Sequence, residues 1–210
     1  MYRNYIKPIL DIMICILILP FFVIIYIPVA IIIKVYDKGP VFYSGKRLGK
    51  DLKEFAMMKF RTMKVNVPDI RNWDGSTFNS DNDPRLTRVG KRLRKTSIDE
   101  VPQILNVLKG EMSLIGPRPS PLGNTDKYPK EFFRKFEVKP GITGYNQIML
   151  RNNSTMEQRV ENDLYYIDHI SFLLDFKIFW KTILIVLRAK GINRNDGIET
   201  GTTTKKNINF

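Results

Sequence analysis

The densest set of residues able to do chemistry lies in Arg94-Lys-Thr-Ser-Ile-Asp-Glu-Val-Pro-Gln103. Asp99 and Glu100 are adjacent carboxylates, with Arg94 one turn upstream. Ser97 and Glu100 have the spacing of a capping box, and Asp99 suits the positive end of a helix. Pro102 limits that reading, because a proline is tolerated only in a helix's first turn. The N-cap then falls at or close to Asp99. Such a helix start also attracts phosphate. A carboxylate in that field stays ionised and fits either a nucleophile toward phosphorus or a metal ligand. On spacing alone, capping and catalysis both remain open.

Basic residues elsewhere have matching potential. Lys59 and Arg61 flank Phe60 on a predicted strand and would share one face, as a solvated edge or a phosphate-binding pair. Arg118, between Pro117 and Pro119, is held rigidly, which suits bidentate recognition of an oxyanion. Asp81-Asn82-Asp83 has the Asp-x-Asp pattern by which some sugar transferases hold a metal-bound nucleotide sugar. It precedes Pro84 in a polar stretch, where a turn explains it equally simply. The alternative reading of the chain is therefore a metal-dependent nucleotide-sugar glycosyltransferase using Asp81 and Asp83. Gly45-x-x-x-Gly49-Lys50 lacks the spacing and the Ser/Thr of a phosphate-binding P-loop, and no Gly-x-Gly-x-x-Gly is present. The single histidine, His169, reads as a surface or capping residue; with one cysteine, Cys15, the chain has neither an internal disulfide nor a multi-histidine metal site.

These residues need elements to place them. Short strands are predicted at 41–43 and 54–63, with a turn around Gly49-Lys50 between them. Residues 66–84 read as a surface loop. Residues 85–95 carry six basic side chains: Arg85, Arg88, Lys91, Arg92, Arg94 and Lys95. A helix is predicted at 100–109, with Val101, Ile104, Leu105 and Leu108 on one face and Gly110 ending it. Residues 116–121 read as irregular, and Pro140-Gly-Ile-Thr-Gly144 as a rigid turn. Helices are predicted at 157–166 and 171–188, the second set between core and lipid interface by its mixture of aromatics and lysines. The residues after Gly191 read as a polar, disordered tail.

The chain has 210 residues, with 34 Lys and Arg against 21 Asp and Glu, a formal net charge of +13. An anionic partner is implied: nucleic acid, a membrane surface or phosphorylated substrates. A membrane-tethered nucleic-acid binder using residues 85–95 is the non-enzymatic reading. The embedded Asp99-Glu100 pair and the lack of a recognisable reader fold count against it, so no nucleic-acid partner is expected. The mean hydropathy of -0.20 conceals an uneven distribution. Residues 12–33 hold 22 consecutive uncharged positions. As a helix they would extend about 33 Å, the thickness of a hydrocarbon core. Pro20 and Pro28 lie inside the run, and Arg3 and Lys7 before it balance Lys34 and Lys38 after it. The flanks thus give no orientation, and a segment entering and leaving on one face satisfies both.

Taken in order, Gly39-Pro-Val-Phe42, Met58-Lys-Phe-Arg-Thr-Met63, Asp83-Pro-Arg-Leu-Thr-Arg-Val-Gly90, the Asp99 motif, Asn106-Val-Leu-Lys-Gly-Glu-Met-Ser-Leu-Ile-Gly-Pro-Arg-Pro119 and Pro140-Gly-Ile-Thr-Gly144 resemble the bacterial sugar transferase family, the monotopic phosphoglycosyl transferases. The resemblance covers residues 5–190. It implies a mostly helical α+β fold: a re-entrant, helix-break-helix membrane segment at 1–36, a compact cytosolic catalytic domain with a small β-hairpin at 37–190, and a tail at 191–210. It implies transfer of a phospho-sugar from a UDP-sugar to undecaprenyl phosphate, with release of UMP, as the first membrane step of a surface glycan pathway. By resemblance, Asp99 is the nucleophile forming an aspartyl phospho-sugar, Glu100 is its partner, and both are ligands of Mg2+. Lys59, Arg61, Arg94, Arg118, Gln147 and Arg151 are the implied substrate-binding residues, and the location is the cytoplasmic face of the inner membrane. Two departures stand out. The Ser-Pro expected in mid-segment falls at Val23-Ile24, between Pro20 and Pro28. The Trp-Ala-Gln expected after Gly144 is Tyr145-Asn146-Gln147, so the sugar is not to be copied from a relative.

Overall fold

The computed structural model describes residues 1–68, 70, 80, 83–123, 125, 128–150 and 154–188. The predicted 66–84 loop is described only in part, and the predicted tail lies outside these residues. After a short turn at Tyr2–Ile6, Lys7–Asp37 forms one 31-residue helix, α1. Helical structure continues through Pro20 and Pro28, so the expected break is not an interruption of the helix. Each proline removes one backbone donor and crowds the carbonyl four residues before it, yet the helix runs on past both. Lys7, Asp11, Cys15, Phe22, Val29 and Ile33 form a buried stripe at helical spacing, while Ile9, Leu17, Phe21, Ile24 and Ile31 on the other faces are exposed. Among the described residues, Tyr2–Asp37 is the one helix long and apolar enough to cross a membrane.

The start, middle and end of α1 touch the same body. Arg3 donates to the Glu137 carbonyl at 2.9 Å, Lys7 Nζ to Asp175 Oδ2 at 2.8 Å, and Ser113 Oγ to Asp11 Oδ2 at 2.6 Å. Tyr26 stacks on Phe42 with 5.5 Å between centroids, and Asp37 faces Arg61 at 4.0 Å.

The predicted hairpin is β1 (Phe42–Leu48) antiparallel to β2 (Glu54–Phe60), with Phe42 opposite Phe60 and Ser44 opposite Met58. The first strand is longer and the second shorter than the sequence predicts. The outer edge of β2 would leave peptide groups open. Asn106, with no exposed surface, closes it: Met58 N–H donates to its Oδ1 at 2.9 Å, and its Nδ2 donates to the Ala56 carbonyl at 2.8 Å. On its other side β1 pairs with β4 (Ser120–Pro121), so the 116–121 stretch, expected to be irregular, supplies a short strand.

α2 (Arg88–Lys95) begins at Thr87, whose hydroxyl accepts from Gly90 N–H at 2.8 Å. Next, in place of the helix predicted at 100–109, comes a tight 3₁₀ segment, Ile98–Gln103, and then the short α3 (Ile104–Leu108). Pro102 has no N–H to give an α-helical bond, so the chain winds tightly until it is past. β3 (Ser113–Ile115) pairs in parallel with β5 (Gly141–Thr143), so the expected Pro140–Gly144 turn is partly strand. Gly116, Gly141 and Gly144 let these backbones meet: a Cβ on Gly141 would lie 2.1 Å from Gly116 N, and one on Gly144 2.1 Å from Gly116 O.

A 3₁₀ segment at Lys130–Glu137 and α4 (Tyr145–Leu150) were not predicted. α5 (Met156–Asp168) opens with a Thr155/Gln158 capping box and is closed by His169, which has the capping role expected of it. α6 (Phe172–Arg188) resolves the choice between core and interface by having two faces. Asp175 and Ile178 are buried, whereas Phe172, Leu173, Phe176, Trp180 and Leu184 are exposed. The architecture of the described residues is thus α+β and mostly helical, with two small sheets.

α2 packs so closely on the segment after β2 that a Cβ on Gly90 would lie 1.9 Å from the Thr62 carbonyl oxygen. Overpacking of this kind costs about 1–3 kcal/mol, or on the order of 2–12 °C in Tm. Gly90→Ala is therefore expected to lower the thermal midpoint in detergent by several degrees; an unchanged midpoint would contradict this packing.

Candidate active site

The site is built where β2, the Ile98–Gln103 turn and the segment after β3 meet. Ser97 adopts a left-handed conformation, φ 58°, which turns the chain sharply out of α2. No side-chain cap forms there, so the Ser97/Glu100 capping box is not made. The Glu100 carboxylate is engaged elsewhere. Its Oε1 accepts from Lys59 Nζ at 2.6 Å and from Arg118 Nη2 at 3.0 Å. Lys59 comes from β2, paired to β1 and capped by Asn106. Arg118 follows Gly116 and Pro117, a segment fixed by Gly116 N–H donating to the Thr143 carbonyl at 2.9 Å and Gly141 N–H to the Pro117 carbonyl at 2.9 Å. The motifs around Lys59, Glu100, Arg118 and Gly141 therefore converge on one place.

Electrostatics follow from this geometry. Burial opposes ionisation of Glu100, but Arg118 and Lys59 outweigh it and hold the carboxyl far below the usual carboxylate range. The Arg118 guanidinium is stabilised in turn, first by Glu100 and also by the charge of Asp99. Asp99 is buried at 6% exposure, on the same turn. It lies within electrostatic reach of the partly exposed Arg118.

The other expected residues are distributed unevenly. Arg94 Nε donates to Thr62 Oγ1 at 3.0 Å, which fixes its guanidinium against the strand end. Arg61 is not with Lys59. β2 ends at Phe60, and Arg61 turns to the Pro40 carbonyl at 2.7 Å, the Met63 carbonyl at 3.0 Å and Asp37 at 4.0 Å, buried at 5% exposure. It clamps the exit of α1, and neither the solvated edge nor the phosphate-binding pair with Lys59 is formed. Gln147, on α4, has a buried amide whose two ends find no hydrogen-bond partner among the described residues; its Oε1 lies against Gly144. A buried unpartnered amide is costly without a ligand. Arg151 and Asp81 lie outside the described residues. Asp83 is locked to Arg85, whose Nε and Nη2 reach its two oxygens at 2.9 and 2.7 Å. Those bonds hold its carboxyl below the ordinary range and leave it buried, so the Asp81/Asp83 metal reading loses one ligand to a structural ion pair.

Thr62, Asn106 and the buried Lys135–Asp163 pair, 3.3 Å apart, were not singled out from sequence. The first two lie inside the quoted motifs, which was their only signal. Burial lowers the pKa of Lys135 and raises that of Asp163, and the charge of Arg118 lowers Lys135 slightly further. No group of three or more metal-binding side chains occurs among the described residues. Two adjacent carboxylates do fit Mg2+, which binds through one or two carboxylates plus waters and substrate phosphates.

The profile of the family described as bacterial sugar transferase matches residues 2–189. The chain is 43% identical over 160 residues to the uncharacterized sugar transferase EpsL of Bacillus subtilis, covering 76% of each. It is 38% identical over 193 residues to the UDP-N-acetylgalactosamine-undecaprenyl-phosphate N-acetylgalactosaminephosphotransferase of Aeromonas hydrophila, covering 89% of this chain and 45% of the relative. With the UDP-glucose:undecaprenyl-phosphate glucose-1-phosphate transferase of Escherichia coli it shares 41% identity over 163 residues, 74% of this chain and 34% of the relative. The chain thus spans about three quarters of the Bacillus relative and less than half of the other two.

The depressed Glu100 carboxyl can be measured directly. Carbon-13 NMR of Glu-labelled protein is expected to show Glu100 still ionised below pH 4, where free glutamate protonates. In Arg118→Gln its midpoint is expected to rise by a unit or more. A Glu100 that titrates normally in the wild type would contradict the clamp.

Proposed function

The chain belongs to the bacterial sugar transferase family, and on that footing we propose that it transfers a phospho-sugar from a UDP-sugar to undecaprenyl phosphate and releases UMP. The observation that carries the reading is the buried Asp99 beside a glutamate already clamped by Lys59 and Arg118. Two relatives, from Aeromonas hydrophila and Escherichia coli, are named for the same kind of transfer to undecaprenyl phosphate.

In the proposed reaction an Asp99 carboxylate oxygen attacks the phosphorus that bears the sugar. The bond from that phosphorus to the bridging oxygen breaks, and the oxygen leaves with its electron pair as UMP. A phosphate oxygen of undecaprenyl phosphate then attacks the same phosphorus, the bond to Asp99 breaks, and the carboxylate is restored. No oxidant or net proton is consumed. Phosphoryl transfer depends mainly on positioning and charge neutralisation. Lys59, Arg94 and Arg118 supply fixed positive charge, Glu100 sets the places of Lys59 and Arg118, and Gln147 offers an amide in need of a partner. Asp99 and Glu100 would hold Mg2+, which when bound neutralises diphosphate charge.

The same reading places the chain at the cytoplasmic face of the inner membrane, with α1 in lipid. At 1.5 Å per residue α1 is about 46 Å long, enough to span. The contacts of Arg3, Lys7 and Asp11 at its start and of Asp37 at its end with one body support a segment whose two ends lie on the same side of the bilayer. The exposed aromatic face of α6, with Lys177 and Lys181 beside it, suits the lipid–water interface.

Purified chain given undecaprenyl phosphate and a panel of UDP-sugars is expected to release UMP with one or a few of them. Asp99→Asn is expected to lose at least a thousandfold in rate. Release of UDP, or full activity in Asp99→Asn, would overturn the proposal.

A further inference from the structure

The reaction above uses Arg94 of α2 and leaves the rest of that helix's charge unexplained. Arg88, Lys91, Arg92 and Lys95 are spaced i, i+3, i+4 and i+7, so they form one stripe along α2. All four are exposed, and none has an ion-pair or hydrogen-bond partner for its side chain among the described residues. The opposite face is committed to the body: Gly90 lies against Thr62, and Leu93 joins the core formed with the buried stripe of α1. Four like charges within three turns repel one another, which costs stability unless an anion faces them.

The position of α2 indicates which anion. Its inner face packs on Thr62, and the neighbouring Arg61 holds the Pro40 carbonyl and faces Asp37, the last residue of α1. α2 therefore sits where the apolar helix ends, with Lys34 and Lys38 close by in sequence. Basic side chains at such a position are at headgroup level, where each adds roughly fivefold to attraction for an anionic leaflet. The substrate phosphates have their own cations in Lys59, Arg94 and Arg118.

We propose that the outer face of α2 is a binding surface for anionic phospholipid headgroups, engaged where α1 leaves the bilayer. This rests on the reading of α1 as a membrane segment. It gives the body a second hold on the membrane, independent of α1 and dependent on lipid charge.

The test is transfer of the full chain from detergent into vesicles, followed by flotation at 0.1 M salt. Vesicles of phosphatidylcholine are compared with vesicles containing 30% phosphatidylglycerol. The wild type is expected to favour the anionic vesicles at least tenfold, and to lose that preference at 1 M salt. R88Q/K91Q/R92Q/K95Q is expected to lose the preference at 0.1 M while entering phosphatidylcholine as the wild type does and keeping the wild type's thermal midpoint in detergent. K50Q/K53Q/K109Q/K130Q, which removes four exposed charges elsewhere, is expected to keep it. An α2 variant that retains the preference, or a control that loses as much, overturns the proposal. A wild type that floats with neither vesicle overturns the membrane reading of α1, and this proposal with it. A wild type indifferent to lipid charge but tightly binding duplex DNA in a salt-sensitive way assigns the stripe to nucleic acid instead.

Discussion

Glu100 is shared between Lys59 at 2.6 Å and Arg118 at 3.0 Å, and through it three stretches of chain distant in sequence come to one point. Lys59 and Glu100 have side chains only 18% and 21% exposed, so taking their charges from water carries a desolvation cost that the contact itself must offset. Arg118 is 43% exposed, and solvent screens its share. Such an arrangement persists only if the backbones delivering the charges are fixed beforehand. The Asn106 amide fixes the edge of β2, the Gly116–Gly141–Gly144 contact fixes the approach to Arg118, and Pro102 with Ser97 fixes the turn. Each device is structural by itself, and together they define the position of Asp99.

The long apolar helix α1 obeys the same logic on a larger scale. α1 is apolar on nearly every face, yet its two ends carry charged or polar groups engaged by the body: Lys7 with Asp175, Asp11 with Ser113, and Asp37 with Arg61. Polar anchors at both ends tie one long helix to a single body, and the Ile98–Gln103 turn packs through Ile98 and Val101 on the core that the helix shares. The proposed reaction, with one soluble and one lipid substrate, would need such closeness between site and apolar helix. The net charge of +13 is therefore unevenly employed: part surrounds the candidate site, and part lies on the outer face of α2.

Much of this was legible in the sequence, for definite reasons. The stretches holding Lys59, Asp99, Glu100 and Arg118 stood out because each motif is long enough to be specific and the motifs occur in order; that Lys59 and Arg118 meet at Glu100 is visible only in the fold. The hairpin was readable from its turn, and α5 and α6 from their apolar spacing. Arg61 was misread because strand alternation was carried past Phe60, where the strand stops and the side chain turns to the α1 exit. The capping box at Ser97 and Glu100 has the right letters, but its glutamate had cations available from elsewhere in the chain, which local spacing cannot show. β4 and β5 are too short to have a period, and the role of Asn106 depends on an edge strand 50 residues upstream of it. The helix runs on through Pro20 and Pro28 with a buried stripe on both sides of them, from Lys7 to Ile33, which a proline count does not reveal.

The central claim is that Asp99 itself receives the phospho-sugar. The most direct test is to mix the chain with a UDP-sugar radiolabelled in the sugar, without undecaprenyl phosphate, quench in acid and map the label by peptide mass spectrometry. The account predicts a burst of about one UMP per chain and one phospho-sugar on the peptide containing Asp99, discharged when the lipid acceptor is added. A burst without label on protein, or a label on another residue, would contradict it.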